Sequence, residues 1–316
     1  MLLLAGTLAA AVSLFAHPAA AAAPAPSLLA LRSAAAFDGI YTTAAGEQVH
    51  ISVSDQLVSD DAENQRWADF LGSVPHGSEL ELVEVYFAPV EEVRTICGAS
   101  ALACYAPTQR LIVAPAEETE GQPARQSIIA HEYGHHLANS RLNTPWPGVV
   151  LGTKRWATYM GICAGVEDGT FSLQQYELDP AEGFAESYRV LVERKLALEP
   201  TPWEIVDALF EPDDTSLALI EQDAAEPWLR NTVVGVKGSR TRTIRFSTPL
   251  DGKLTLTLRA PRSSVYELRV PGLPIRRALG RGPATVSTTV CGTRQVRPTV
   301  RLVKGKGTFQ LTVSRP

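Results

Sequence analysis

The stretch Gln126-Ser-Ile-Ile-Ala-His131-Glu132-Tyr-Gly-His135-His-Leu-Ala-Asn139 decides how the rest of the chain is read. It contains the pattern His-Glu-x-x-His. On a helix, residues four apart share a face, so His131 and His135 can point at one ion. Glu132 stands beside them and can reach a water on that ion. Zinc suits such imidazole donors, and it lowers the pKa of a coordinated water to ~7. Glu132 is then the expected general base, taking the proton and passing it to a leaving amine. The surroundings agree with a buried helix. Pro123 can open it, and Ile128, Ile129 and Leu137 supply an apolar face. Gly134 costs a helix about 1 kcal/mol against Ala, so something is expected to pack closely there.

Two imidazoles leave one protein ligand to be found. Position 141, where a third His would follow in the metzincin pattern, is Arg. The best source is Asp179-Pro-Ala-Glu182-Gly-Phe-Ala-Glu186-Ser-Tyr-Arg189. Asp179 can cap a helix and Pro180 suits its first turn. Glu182 and Glu186 are then on one face, where two like charges call for a cation.

His131-Glu-Tyr-Gly-His135, followed 47 residues later by Glu182-Gly-Phe-Ala-Glu186, resembles the gluzincin class of zinc metallopeptidases. Within that class it is similar to the group of anthrax lethal factor and the Pro-Pro endopeptidases. The resemblance implies a zincin-like fold and peptide-bond hydrolysis. It implies zinc held by His131, His135 and Glu182, with Glu186 supporting the site. It also implies a Tyr ahead of the ligand Glu that steadies the oxyanion. Tyr176 is the nearest match; the family's Tyr falls one residue farther from the ligand, where this chain has Gln175. Tyr159 and Tyr188 are the other candidates for that role. The likeness covers about residues 126–189.

Other residues fill out the expected site. His136 points off the metal face, toward a supporting position or solvent. Trp146 and Trp156 are read as core rather than cleft. Residues 110–113 are expected to form the strand that borders the cleft.

The charge balance divides the chain. Residues 232–316 hold 17 Lys and Arg against two acids, Asp251 and Glu267, a net +15. The first 231 residues hold 12 against 32, a net −20. A zincin-like catalytic domain over 32–231 followed by a small, basic all-β sandwich domain over 232–316 gives the expected class, α+β. In the first part, strands are expected at 48–53, 80–87 and 110–113, and helices at 61–70, 125–142, 181–198 and 203–210. In the second, six short strands between 242 and 313 alternate with turn residues.

Residues 1–23 read as a signal peptide, with an apolar run too short to span a bilayer. The expected location is therefore secreted or extracytoplasmic, with no membrane span after cleavage. Four cysteines in an exported chain suggest two disulfides. Cys97 and Cys104 can close a local loop, which leaves Cys163 for Cys291.

The expected activity is a secreted zinc endopeptidase acting on a peptide or protein substrate. A hydrolase of cell-wall peptide or amide bonds is a variant of it. The rival is a non-catalytic, metal-stabilised binding protein whose basic domain takes a cell-envelope polyanion. Nucleic acid is not expected, because Phe246, Tyr266 and Phe309 are too few for base stacking.

Overall fold

The computed structural model describes residues 35–203, 205–279 and 282–316. The reading of 1–23 as a signal peptide lies outside the described residues. Helices and strands are mixed, with several separate sheets, which is an α+β arrangement.

Strands β1 (Ala35–Thr42) and β2 (Gln48–Ser54) pair antiparallel. Helix α1 (Asp61–Ser73) starts at Asp60, whose carboxylate accepts from the Ala62 N–H at 2.9 Å. A 3-10 turn over Ser78–Leu82 leads to β3 (Glu84–Ala88) and α2 (Val90–Cys97). Then come β4 (Cys104–Ala106) and β5 (Leu111–Pro115). The sheet order is β1-β2-β3-β5-β4, with β2, β3 and β5 parallel and β4 antiparallel at one edge. Every residue of β3 and β5 is buried. Val85, Phe87, Ile112 and Ala114 join the main core, while Tyr86, Leu111 and Val113 join a smaller cluster with Val93 of α2. Burial on both faces explains why Leu111-Ile-Val-Ala is continuously apolar.

The helical part begins with α3 (Arg125–Asn139), which carries His131-Glu132-Tyr-Gly-His135. A short ribbon of β6 (Leu142–Asn143) and β7 (Trp146–Pro147) follows. Helices α4 (Gly148–Leu151), α5 (Lys154–Tyr159), α6 (Ile162–Asp168), α7 (Pro180–Leu196) and α8 (Asp214–Ala225) complete it. Asp179 caps α7 by accepting from Ala181 N–H at 2.9 Å, with Pro180 in the first turn. Helices α3 and α7 meet at Gly134, where an added Cβ would lie 2.9 Å from Ala185 Cα and 3.1 Å from Tyr188 Cβ. Glycine is thus required by the close approach of the two backbones.

The remaining strands are β8 (Thr232–Gly238), β9 (Arg242–Thr243), β10 (Phe246–Thr248), β11 (Gly252–Arg259), β12 (Val265–Arg269), β13 (Arg276–Leu279), β14 (Ala284–Val290), β15 (Arg294–Val296), β16 (Thr299–Lys304) and β17 (Phe309–Arg315). Two antiparallel four-stranded sheets, β14-β11-β17-β8 and β13-β12-β16-β9, contribute to one apolar cluster. Leu254, Leu256 and Leu311 come from the first sheet, Tyr266, Leu268 and Val300 from the second. The residues 49–224 of the main core take no part in it. Disulfides join Cys97 to Cys104 and Cys163 to Cys291, with Cα–Cα separations of 5.6 and 5.3 Å. The second bridges α6 and the turn after β14.

Four expectations about elements need correction. Residues 80–82 belong to the 3-10 turn, because the Glu79 side chain is drawn inward to Arg141 at 2.6 Å. The strand expected from 110 begins at Leu111, since Arg110 takes a left-handed φ of 56°. Helix α3 stops at Asn139 rather than 142, where the chain turns into the β6–β7 ribbon. Among the described residues of 203–210 there is no α-helix. Asp207 accepts from Leu209 N–H at 2.9 Å and donates its own N–H to Glu177 O at 2.8 Å, leaving only a 3-10 turn, Ala208–Phe210. Such local side-chain bonding competes with helix formation. Trp156 is buried in the core as expected, edge-on to Phe184 with ring centroids 5.1 Å apart.

The Gly134 contact gives a prediction. Alanine there gains about 1 kcal/mol of helix propensity, but overpacking against backbone costs about 1–3 kcal/mol. The net cost of about 0–2 kcal/mol should lower the Tm of G134A, by up to roughly 8 °C. A thermal melt showing a rise would refute the close contact.

Candidate metal centre

His131 and His135 project from one face of α3, their rings at 78° with centroids 5.0 Å apart. Glu182, on the first turn of α7, faces both. Its Oε2 lies 3.2 Å from His131 Nε2 and 3.5 Å from His135 Nε2. The three donor atoms of the set all lie within 4.8 Å of one another. Two donors at ~2.1 Å from one zinc in tetrahedral array are about 3.4 Å apart. Both Glu182 contacts match that spacing, so the three residues could hold one metal ion.

The other ring nitrogen of His131 is fixed from behind. Nδ1 lies 3.0 Å from Glu186 Oε2, one turn along α7. Glu186 in turn pairs with Arg189, and Arg189 Nη1 reaches Glu193 at 2.7 Å. Glu193 accepts from Ser127 Oγ at 2.7 Å, which returns the chain of contacts to α3. These side chains are all buried. A carboxylate on the far nitrogen selects the tautomer that presents Nε2 to an ion.

The electrostatics favour positive charge at this point. Burial works to lower the His131 pKa, but hydrogen bonds with Glu182 and Glu186 outweigh it and raise it to about 10. Burial would raise Glu182, yet its hydrogen bonds with His131 and His135 hold the carboxyl well below the usual range. Glu132 is different. Burial pushes its pKa up, against the pull of the two imidazoles. A carboxylate whose proton affinity is raised is suited to general-base work.

A cleft of about 600 Å³ opens over His131 and Glu132. Tyr176 stands on its wall. The residue is 55% exposed, and burial of its hydroxyl end together with the charge of Glu182 pushes its pKa up. Ser100–Ala103, from the loop closed by the Cys97–Cys104 disulfide, also line the cleft. That corrects the expectation that 110–113 borders the cleft; β5 is too deeply buried to do so. Tyr188 is fully buried and donates to Pro75 O at 2.6 Å. Tyr159 donates to Asp213 at 2.5 Å on the surface. Neither lines the cleft.

His136 does not face solvent. It is completely buried, with Nε2 donating to Glu79 O at 2.8 Å and Nδ1 accepting from Tyr105 OH at 3.0 Å. It ties α3 to the 3-10 turn and to β4. Sequence reasoning also missed Ser127 and Glu193. Their signal was the spacing Glu186, Arg189, Glu193, an i, i+3, i+7 charge row on one helix face. A second cluster with metal-ligand chemistry, Cys163, Glu167 and Cys291, is ruled out as a site because both sulfurs are joined in a disulfide.

No protein-family model matches this chain, and no curated protein matches it either. Among solved structures it is similar to the capsular polysaccharide assembling protein CapF of Staphylococcus aureus, at 9% identity over 84% of this chain and 82% of that one, with a TM-score of 0.18. CapF with the inhibitor 3-isopropenyl-tropolone gives 11% identity over 83% and 87%, with a TM-score of 0.19. Scores this low carry no argument.

The buried His136 yields a pH prediction. Burial lowers its pKa from 6.5 to about 4. Its contribution to stability is therefore complete above pH 6.5 and is lost as the pH falls toward 4. The difference across that window is about 2–3 kcal/mol. Denaturant melts of wild type and H136Q should diverge at neutral pH and converge near pH 4. A constant gap across the range would contradict the buried neutral imidazole.

Proposed function

We propose that this protein is a secreted zinc-dependent endopeptidase. The observation that carries the reading is the convergence of His131, His135 and Glu182 at one point beside the buried Glu132. His131, His135 and Glu182 would hold the ion. When bound there, zinc acidifies water and polarises the carbonyl to be attacked.

The chain's own residues supply the rest. Glu132 accepts the water's proton on its carboxylate and delivers it to the departing amine nitrogen. Glu186 holds the His131 ring by its Nδ1, and Arg189 holds Glu186. The Tyr176 hydroxyl, protonated at neutral pH and made still harder to ionise by burial and by Glu182, donates to the oxygen that gains negative charge. The cleft lined by Tyr176 and the Ser100–Ala103 loop takes the peptide and excludes water from one side of the scissile bond. Two disulfides are compatible with an extracytoplasmic setting. Among the described residues, no helix is long and apolar enough to cross a membrane.

The decisive comparison is E132Q against E182Q. E132Q should keep stoichiometric zinc by metal analysis yet lose cleavage of a peptide library by ~10²-fold or more. E182Q should lose zinc and cleavage together. Full cleavage by E132Q would sink the proposal, leaving a metal-stabilised binding protein in its place. E186Q should retain the fold and the ion, with zinc affinity reduced about 10–100-fold in a chelator competition. An unchanged affinity would deny Glu186 its orienting role.

A further inference from the structure

The basic segment has only two carboxylate side chains, and both are buried. Asp251 is 1% exposed and Glu267 is 1% exposed. Asp251 accepts from Gly292 N–H, and its own N–H donates to Thr158 Oγ1 at 3.0 Å, where the segment meets α5. Among the described residues of 232–316, therefore, no acidic side chain is exposed. Thirteen of the 17 cations there are Arg, the side chain whose planar fork matches paired oxygens of a phosphate.

Glu267 organises three of them. In the β13-β12-β16 part of its sheet it stands opposite Arg277 on one side and Arg301 on the other. Arg277 donates through Nε and Nη2, each at 2.9 Å. Arg301 donates through Nε at 3.1 Å and Nη2 at 2.8 Å. Arg269, two residues along β12 and so on the same face, donates through Nη2 at 3.0 Å. Three guanidiniums share one carboxylate, which leaves two positive charges uncompensated. They are not covered by the acidic part of the chain: Arg269, Arg277 and Arg301 are 45, 63 and 47% exposed. Each has N–H groups left over, and the carboxylate beneath fixes the ring of forks in place.

We propose that this sheet face binds a linear phosphate-bearing polymer, with Arg269, Arg277 and Arg301 as the phosphate contacts and Glu267 as the residue that positions them. Recognition is of charge and not of bases. Tyr266 and Phe309 are fully buried and Phe246 is half-buried in the same core, so no aromatic platform faces outward for stacking. The inference stands apart from the proposed peptidase activity.

The test uses the full chain and a fluorescent inorganic polyphosphate, titrated over a range of salt. Wild type should bind, with affinity that falls as salt rises. Replacing Arg269, Arg277 and Arg301 together by Gln should weaken binding at least about tenfold and flatten the salt dependence by roughly two to three ions. A charge-matched control, Arg240, Arg259 and Arg262 to Gln, three exposed arginines outside the Glu267 cluster, should change affinity by less than about threefold. Should the Gln triple misfold, the Lys triple reads the same point, because it keeps the charge and removes the forks; it should bind more weakly than wild type. Equal losses in triad and control would overturn the proposal in favour of diffuse attraction. Equally tight binding of polygalacturonate would overturn the phosphate preference. Tighter, triad-dependent binding to vesicles of anionic lipid would reassign the face to a membrane surface.

Discussion

Everything at the candidate metal centre depends on how closely α3 and α7 approach. Each helix carries a pair of site residues at a spacing of four, the donors His131 and His135 on one, the donor Glu182 and the supporting Glu186 on the other. Two helices with ordinary side chains at their crossing sit 8–10 Å apart. Here Gly134 faces the Ala185 backbone, so the closest point is set by main chain and not by side chains. The glycine lies between the two histidines, and the alanine lies between the two glutamates. The crossing point is thus placed at the centre of the donor set, and a shift there would move the Glu182–His131 and Glu186–His131 contacts together.

That approach buries an unusual density of charge. Glu132, Glu186, Arg189 and Glu193 are each below a tenth exposed, as is His131. Burying one member alone would be costly, since the desolvation penalty of an unpaired ion is several kcal/mol. The arrangement avoids lone ions. Arg189 serves two carboxylates, Ser127 donates to the second, and His131 spans Glu182 and Glu186. The one group outside this chain of contacts is Glu132, whose pKa is pushed up by burial. The network therefore separates two jobs by environment: carboxylates tied down by cations hold positions, and the carboxylate without such a tie is the one disposed to take up a proton.

Much of this was legible in the residues because the information is periodic and local. The His131–His135 spacing, the Asp179-Pro180 helix start and the Glu182–Glu186 spacing each refer to one helix, and the helices form. The need for Gly134 was legible as an anomaly of propensity, though its neighbour was not. What could not be read is nonlocal. His136 was ambiguous because its partners, Glu79 and Tyr105, lie more than 30 residues away. Arg141 likewise spends its side chain on Glu79 and on Asp223 O, which pulls the 3-10 turn into place where an extended strand was expected. The apolar spacing of 203–210 did suit a helix, but Asp207 bonds to its own neighbours and Phe210 stacks on Phe171 at 4.6 Å, and tertiary contact decided the outcome.

The charge asymmetry is also clarified by where the charges go. A segment of net +15 beside one of net −20 could have been held by broad electrostatic docking. Among the described residues, specific contacts join them instead. Cys163–Cys291 supplies a covalent tie, and Lys154 reaches the same junction, where a Cβ added to Gly252 would lie 2.9 Å from its Nζ. Burial lowers the Lys154 pKa to about 8, against the pull of Asp251 and Asp223. The junction thus uses one lysine and buries one of the two acids of the basic segment, while the other acid is placed under an arginine ring. Both choices have the same consequence: among the described residues, they remove negative charge from the exposed surface of the β-rich segment. A fold that needed those cations for internal docking would have spent them at the junction; here Arg269, Arg277 and Arg301 are gathered instead on Glu267, each still partly exposed.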